Sequence, residues 1–374
     1  MCRVIGIILG SPYAVIEGEA RIPAPLFAFK NSISEACLQF ISHIFFPFTF
    51  QHRQTTCAFF IQNLQQRGKS YMTTVNEQIE HTLKLAEKHG LRLKRKHAEI
   101  NESGMDFQVV FAEDEAGKSW VLRKPRRDDV IERAVYEGKV LKLLQNRLPA
   151  AVPDWRIHTP ELIAYPELPG VPAAVIDMDI KNYVWNMEHE PPAEAFTRSL
   201  AKTLALLHGI DHKDAEEAGM HVMNPDDVRQ TKAEHMERIK SELGVSAELW
   251  ERWQKWLSDD SYWPEHTVFI HGDLHPPHIL IDQHQSITGL LDWTEAKIAD
   301  PAKDFLLYQT ILGEAETARL ISYYEEEGGR VWPRMKEHIK EMQAAYGIEI
   351  GMFALQTKQE EHLKMALDAL GVTQ

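Results

Sequence analysis

Residues 267 to 293 read TVFIHGDLHPPHILIDQHQSITGLLDW. Three short apolar runs, TVFI, HILI and ITGLL, alternate with polar segments, and their length suits strands better than helices. The spacing places Asp273 on a tight loop after the first strand and Asp292 at the end of a neighbouring hairpin strand. Two carboxylates gathered at strand ends repel unless something stands between them. A divalent cation or a transferred proton is the usual mediator.

The loop HGDLHPPHILID holds three histidines and two aspartates in twelve positions. A structural zinc site would want cysteines, and these imidazoles lack the i, i+4 spacing of a helical His-Glu zinc motif. A polar turn with satisfied histidines leaves the later Asp292 without a purpose. Phosphoryl transfer uses such a set, one carboxylate for the attacking hydroxyl and another for the cation on the phosphates. It ranks above both zinc and the turn.

At 374 residues the chain has room for about two domains. It lacks a run of about 18 uninterrupted apolar residues, so no helix need span a membrane. Composition breaks near Tyr71. Residues 1–71 carry six basic and three acidic side chains and all three cysteines; the rest carries 35 basic and 52 acidic side chains and all nine tryptophans. From Met72 the text MTTVNEQIEHTLKLAEKHG begins like a protein start, with Thr74 as a helix cap and Glu77 at capping-box spacing. Residues 1–71 are therefore expected to be a non-native or disordered extension, with a membrane-touching leader as the alternative. Absence of cysteine after Met72 suits a reducing cytoplasm. The acidic balance argues against a nucleic-acid partner and suits a cationic ligand.

Along the main part, a helix over about 75–89 leads into a strand-rich section. DFQVVFAED and SWVLRK alternate on either side of a glycine-containing turn and read as an antiparallel hairpin. RDDVIERAVYEGKVLKLL repeats apolar residues at helical spacing, and LIAY and AAVIDM read as two further strands. The remainder is mainly helical, and the stripe of Trp250, Trp253, Trp256 and Leu257 reads as core. The expected architecture is α+β: a small N-terminal lobe over 72–180, a link near 177–182, and a larger helical lobe over 183–374 that carries the loop, with a cleft between the lobes.

These motifs resemble those of kinases. Protein kinases carry H-R-D, four residues and Asn, then a later Asp-Phe-Gly aspartate for magnesium. His271, Asp273 and His278 fall in the corresponding places, and LDW supplies Asp292. The antibiotic and small-molecule kinases, with HGDLH-x-x-N and a strand ending in IDW or IDF, are more similar still, over essentially all of 72–374. Within that superfamily the chain resembles the macrolide 2′-phosphotransferases. They share NESGxDFQVVF, WVLRxPRR and a histidine where most relatives have asparagine.

The resemblance implies a protein-kinase-like two-lobe fold and transfer of phosphate from GTP, usually the preferred donor, or ATP to the sugar hydroxyl beside a dimethylamino group of macrolides, which confers resistance. It implies Mg²⁺, Asp273 as the catalytic carboxylate, and Asp292 with His278 at the metal, although an imidazole is an unexpected partner for a cation that prefers oxygen. Arg123 takes the place of the phosphate-gripping lysine, with Glu137 as its helix partner; an ordinary surface ion pair is the bland alternative. Ser103 and Gly104 lie in the loop that would cover the phosphates, and Met178 and Ile180 in the segment that would meet the purine. His271 braces the loop, Asp300 or Asp304 anchors it, and His275 has no assigned part. The protein is expected to act as a cytoplasmic monomer. The rivals are a kinase for an aminoglycoside, choline or homoserine, and a kinase-like nucleotide-binding protein without catalysis.

Overall fold

The computed structural model describes residues 74–372 apart from 103, 105, 178, 179 and 181. The expectations for residues 1–71, and for Ser103 and Met178, lie outside the described residues. Among the described residues, 85–372 group as one compact unit and 74–84 fall outside it. A helix, α1, covers residues 74–88, so the expected cap Thr74 is already helical.

The next section builds one antiparallel sheet. Strands β1 (Glu99–Asn101), β2 (Phe107–Glu113), β3 (Ser119–Pro125), β4 (Ile157–His158) and β5 (Ile163–Pro166) are arranged in the order β1-β2-β3-β5-β4. Asp114 closes the β2–β3 turn by accepting from the main-chain N–H groups of Ala116 and Lys118, both at 2.9 Å. Such a side-chain bond lets a turn form without a partner strand. The long helix α2 (Asp128–Leu144) lays a face of Val130, Ala134, Val140, Leu141 and Leu144 inward. This spacing of three and four residues is the amphipathic signature. Val130 and Ala134 pack with Phe107, Val121, Ile163 and Tyr165 as the core of this small lobe. One member of the inward face is polar: Glu137 is fully buried.

Strands β6 (Val171–Pro172), β7 (Ala174–Asp177) and β8 (Asn182–Trp185) follow. β7 and β8 pair as an antiparallel hairpin, where the sequence predicts one strand and a link. The larger lobe contains helices α3 (Glu194–His208), α4 (His212–Glu217), α5 (Pro225–Glu242), α6 (Ala247–Ser258), α7 (Lys303–Leu312), α8 (Glu314–Glu326), α9 (Met335–Ala344), α10 (Tyr346–Thr357) and α11 (Glu360–Ala369). Trp253 and Trp256 of α6 are buried in its core, as their spacing predicts. Among the described residues, no helix is long and apolar enough to cross a membrane.

Set into this lobe are β9 (Val268–Ile270), β10 (Ile279–Ile281), β11 (Ile287–Leu290) and β12 (Lys297–Ala299). β10 pairs with β11 on one side and with β6 on the other, while β12 pairs with β9. The three expected apolar runs are thus strands, and because Ile279 lies opposite Leu290 the loop before β10 and the segment after β11 come to the same end of that sheet.

Candidate active site

The loop after β9 is held from beneath by one buried carboxylate. Asp304, at the start of α7, accepts from the main-chain N–H of His271 at 2.9 Å and of Gly272 at 2.8 Å. His208 Nε2 lies 3.1 Å from the same carboxylate, and its Nδ1 lies 2.9 Å from the Tyr324 hydroxyl. Burial opposes the charge on Asp304, but the His208 and main-chain donors outweigh it and hold the carboxyl below its usual range. Asp300, the other candidate anchor, turns instead to His338 at 2.7 Å and to the N–H of Ala302.

Gly272 has φ +83°, and a Cβ there would stand 2.5 Å from the Glu295 carbonyl oxygen. Only glycine fits both demands. This close approach brings the loop of Asp273 against the loop of Asp292.

His271 is fully buried and its tautomer follows from its partners. Nε2 lies 3.0 Å from the carbonyl oxygen of Leu291, which can only accept, so Nε2 carries the proton. Nδ1 is left to accept from the N–H of Asp273 at 3.3 Å. Burial pushes its pKa down, consistent with a neutral ring. The expected brace is therefore a two-sided one, joining the chain before Asp273 to the chain before Asp292.

Residues Pro276–His278 form one 3-10 turn that directs His278 back over the loop. Its Nδ1 donates to the carbonyl oxygen of Asp273 at 3.0 Å. Nε2 faces Asp292 Oδ2 at 3.7 Å, and in the neutral ring it carries the lone pair. Two electron-rich atoms at that separation repel unless a proton or cation lies between them. Asp292 stands two residues beyond β11 rather than at the strand end, in the left-handed region at φ +59°. Thr294 Oγ1 donates to it at 2.6 Å. Burial would raise its pKa, but positive charge on the His278 side, as a second ring proton supplies, and on Arg123 holds the carboxylate well below the ordinary range.

The donor set fits a divalent ion. Asp292 offers a carboxylate oxygen and His278 a lone pair already oriented by a main-chain carbonyl, the arrangement usual for metal-bound imidazoles. Asp273, His275 and His278 also bring ligand atoms within 4.8 Å of one another. His275, unassigned from sequence, packs edge-on against His278 with ring centroids 4.1 Å apart and reaches the Tyr183 hydroxyl at 3.4 Å.

Across the cleft, Arg123 of β3 meets Glu137 of α2 at 3.2 Å, and its guanidinium lies 3.9 Å from the Phe107 ring centre. The pair is sheltered from solvent, which separates it from an ordinary surface pair. Glu137 also accepts from the N–H of Trp293 at 3.4 Å, next to Asp292. Burial favours a neutral Arg123, yet Glu137 outweighs it and keeps the guanidinium charged.

The turn between β1 and β2 is strapped in place. Arg126 donates to the Glu102 carbonyl at 3.1 Å, and Arg127 and Arg133 grip Asp106 at 2.8 and 3.1 Å. A Cβ on Gly104 would lie 2.6 Å from the Phe107 carbonyl oxygen. Ile180 is 62% exposed at the β7–β8 turn, and its N–H is taken by Asp177 at 3.2 Å. At this residue only the carbonyl and the side chain remain to meet a base.

A small antiparallel lobe with a buried Arg–Glu pair, set over a helical lobe with paired aspartate loops, defines a kinase-like phosphotransferase. The chain matches the phosphotransferase enzyme family over residues 97–338 and belongs to it. It is 62% identical over 304 residues to the uncharacterized protein YcbJ of Bacillus subtilis (strain 168), covering 81% of this chain and 99% of that one. Among solved structures it is similar to the macrolide 2′-phosphotransferase MphH from Brachybacterium faecium, at 40% identity and a TM-score of 0.75, covering 80% of this chain and 99% of that chain. A macrolide 2′-phosphotransferase type I matches at 39% identity and a TM-score of 0.71, covering 79% and 97%. A GDP and kanamycin complex of APH(2")-IIia, at 18% identity and a TM-score of 0.61 over 78% and 97%, shares the fold. The protein is a phosphotransferase acting on a hydroxyl group.

Proposed function

We propose that the protein transfers the γ-phosphate of GTP or ATP to the 2′-hydroxyl of the amino sugar of macrolide antibiotics and so inactivates them. The observation that carries this reading is the 40% identity to a macrolide 2′-phosphotransferase that is matched over 99% of its length. The resemblance of the loop HGDLHPPHIL to that of the macrolide 2′-phosphotransferases supports it.

Asp273 accepts the hydroxyl proton, or its hydrogen bond, and aims the oxygen at the γ-phosphorus. The new P–O bond forms as the bond to the β–γ bridging oxygen breaks, leaving the nucleoside diphosphate. Catalysis of this kind rests on position and charge rather than on a covalent intermediate. Arg123, held charged by Glu137 and lying over the Phe107 ring, would face the donor phosphates. Gly104, in the turn between β1 and β2, permits close approach of the main chain to them. Asp292 and His278 would hold Mg²⁺, which when bound neutralises phosphate charge. The protein acts as a cytoplasmic monomer.

Radiolabelled GTP and ATP, each offered with erythromycin and with kanamycin, test the reading. Label transferred to erythromycin is expected. Label on kanamycin alone would replace the acceptor class, and nucleotide binding with no transfer would point to a non-catalytic relative.

A further inference from the structure

Beside Glu137 on α2 stands Tyr136, and it reaches the same loop. Its hydroxyl donates to the carbonyl oxygen of Ala296 at 2.7 Å, across 160 residues of chain, and accepts from the N–H of His221 at 3.2 Å. Its ring stacks on His221 with centroids 4.9 Å apart. Ala296 is buried, so its carbonyl has little water to fall back on. The segment that follows is gripped as well: Ile298 N–H donates to the His221 carbonyl at 2.9 Å and Met223 N–H to the Ile298 carbonyl at 3.0 Å.

Residues 292–296 are thus pinned at two points by consecutive residues of one helix. Glu137 takes the N–H of Trp293 and Tyr136 takes the carbonyl of Ala296. Immediately before the first point the chain makes the left-handed bend at Asp292, and between the two points Glu295 packs against Gly272. With the peptide that follows it fixed in this way, Asp292 cannot shift its main chain without straining the bonds to Glu137 and Tyr136.

We infer that Tyr136 is a positioning residue whose hydroxyl latches the loop of Asp292 to α2 and so sets the affinity of the site for its divalent cation. The inference rests on the metal role proposed above for Asp292 and His278. It gives the helix two tasks, of which only the contact of Glu137 with Arg123 was foreseeable from the motif.

The test binds Mn²⁺, followed by its electron paramagnetic resonance signal, to the whole protein with GDP held below the protein concentration. Tyr136→Phe should keep its fold by circular dichroism, weaken Mn²⁺ binding roughly ten-fold, as loss of an outer partner of a metal site does, and speed hydrogen exchange in the peptide spanning 292–296. His221→Ala, which removes the stacked ring but leaves both hydrogen bonds of the hydroxyl, should bind Mn²⁺ like the wild type. Unchanged Mn²⁺ affinity in Tyr136→Phe, an equal loss in His221→Ala, or a Tyr136→Phe protein that does not fold would each overturn the latch. A wild type without a Mn²⁺ site, or with one that survives Asp292→Asn, would instead overturn the metal reading beneath it.

Discussion

His278 donates its Nδ1 proton to the main-chain carbonyl of Asp273 and turns Nε2 toward the Asp292 carboxylate, 3.7 Å away. One imidazole therefore ties the two aspartate loops together. The proton position is dictated by the carbonyl, which cannot donate.

His278→Asn follows directly. The asparagine amide can donate to the same carbonyl and offer oxygen, a harder ligand, to the cation. We expect phosphate transfer to survive with its preference moved from Mn²⁺ toward Mg²⁺, and His278→Ala to lose roughly 10²-fold, in the range for a lost metal-site partner. Initial rates across both metals check this; identical metal profiles for wild type and His278→Asn would refute the ligand role.

Asp273→Asn removes the proton acceptor while preserving shape. Turnover should fall by about 10²–10⁴, the usual range for a general base, while nucleotide affinity stays near that of the wild type. Steady-state rates and a nucleotide titration measured together decide it, and near-normal turnover would remove Asp273 from the chemistry.

Arg123→Lys keeps the charge and can still reach Glu137, but loses the contact of the guanidinium with the Phe107 ring. A desolvated cation–π contact is worth up to about 2 kcal/mol, so the KM for nucleotide should rise roughly ten-fold with the KM for acceptor unchanged. Equal rises in both would mean that the whole cleft had shifted.

Asp304 should govern acid stability. Its folded pKa lies below the unfolded value, so its contribution is complete above about pH 3.9 and is lost as pH falls beneath that. Asp304→Asn sets an amide N–H against the N–H groups of His271 and Gly272 and should cost about 2–3 kcal/mol at neutral pH. Thermal melts between pH 3 and 7 should show a lower Tm and a flatter acid limb for the variant. A variant whose acid limb matches that of the wild type would show that other groups control it.

Much of this was legible in the sequence because the chemistry is local. Alternation announced β2 and β3, helical spacing announced α2, and the run from His271 to Trp293 carried its own strand–loop–strand rhythm. Choosing between Asp300 and Asp304 was not possible from DPAKDF, because the choice depends on which carboxylate the first turn of α7 turns toward the loop. Tyr183 and His275 are 92 positions apart, and Tyr136 and Ala296 are 160 apart. Periodicity carries no information over such distances; only the packing of lobe on lobe creates the contact. The β7–β8 hairpin is not legible because MDIK, between its strands, contains no glycine, proline or asparagine to mark a turn, and its second strand, NYVW, is too short for alternation to be distinctive.

The bonds that shape the site end largely on the main chain: on the carbonyls of Asp273, Leu291 and Ala296 and the N–H groups of His271, Gly272 and Trp293. A peptide group is the same whatever side chain it bears. Leu291 and Trp293 can accordingly drift in identity, within the limits of packing, without releasing the bonds that meet their backbone. The substitutions that matter are concentrated at the few donors and acceptors facing them, which leaves descendants of this chain free to reshape the acceptor side while the phosphate side stands still.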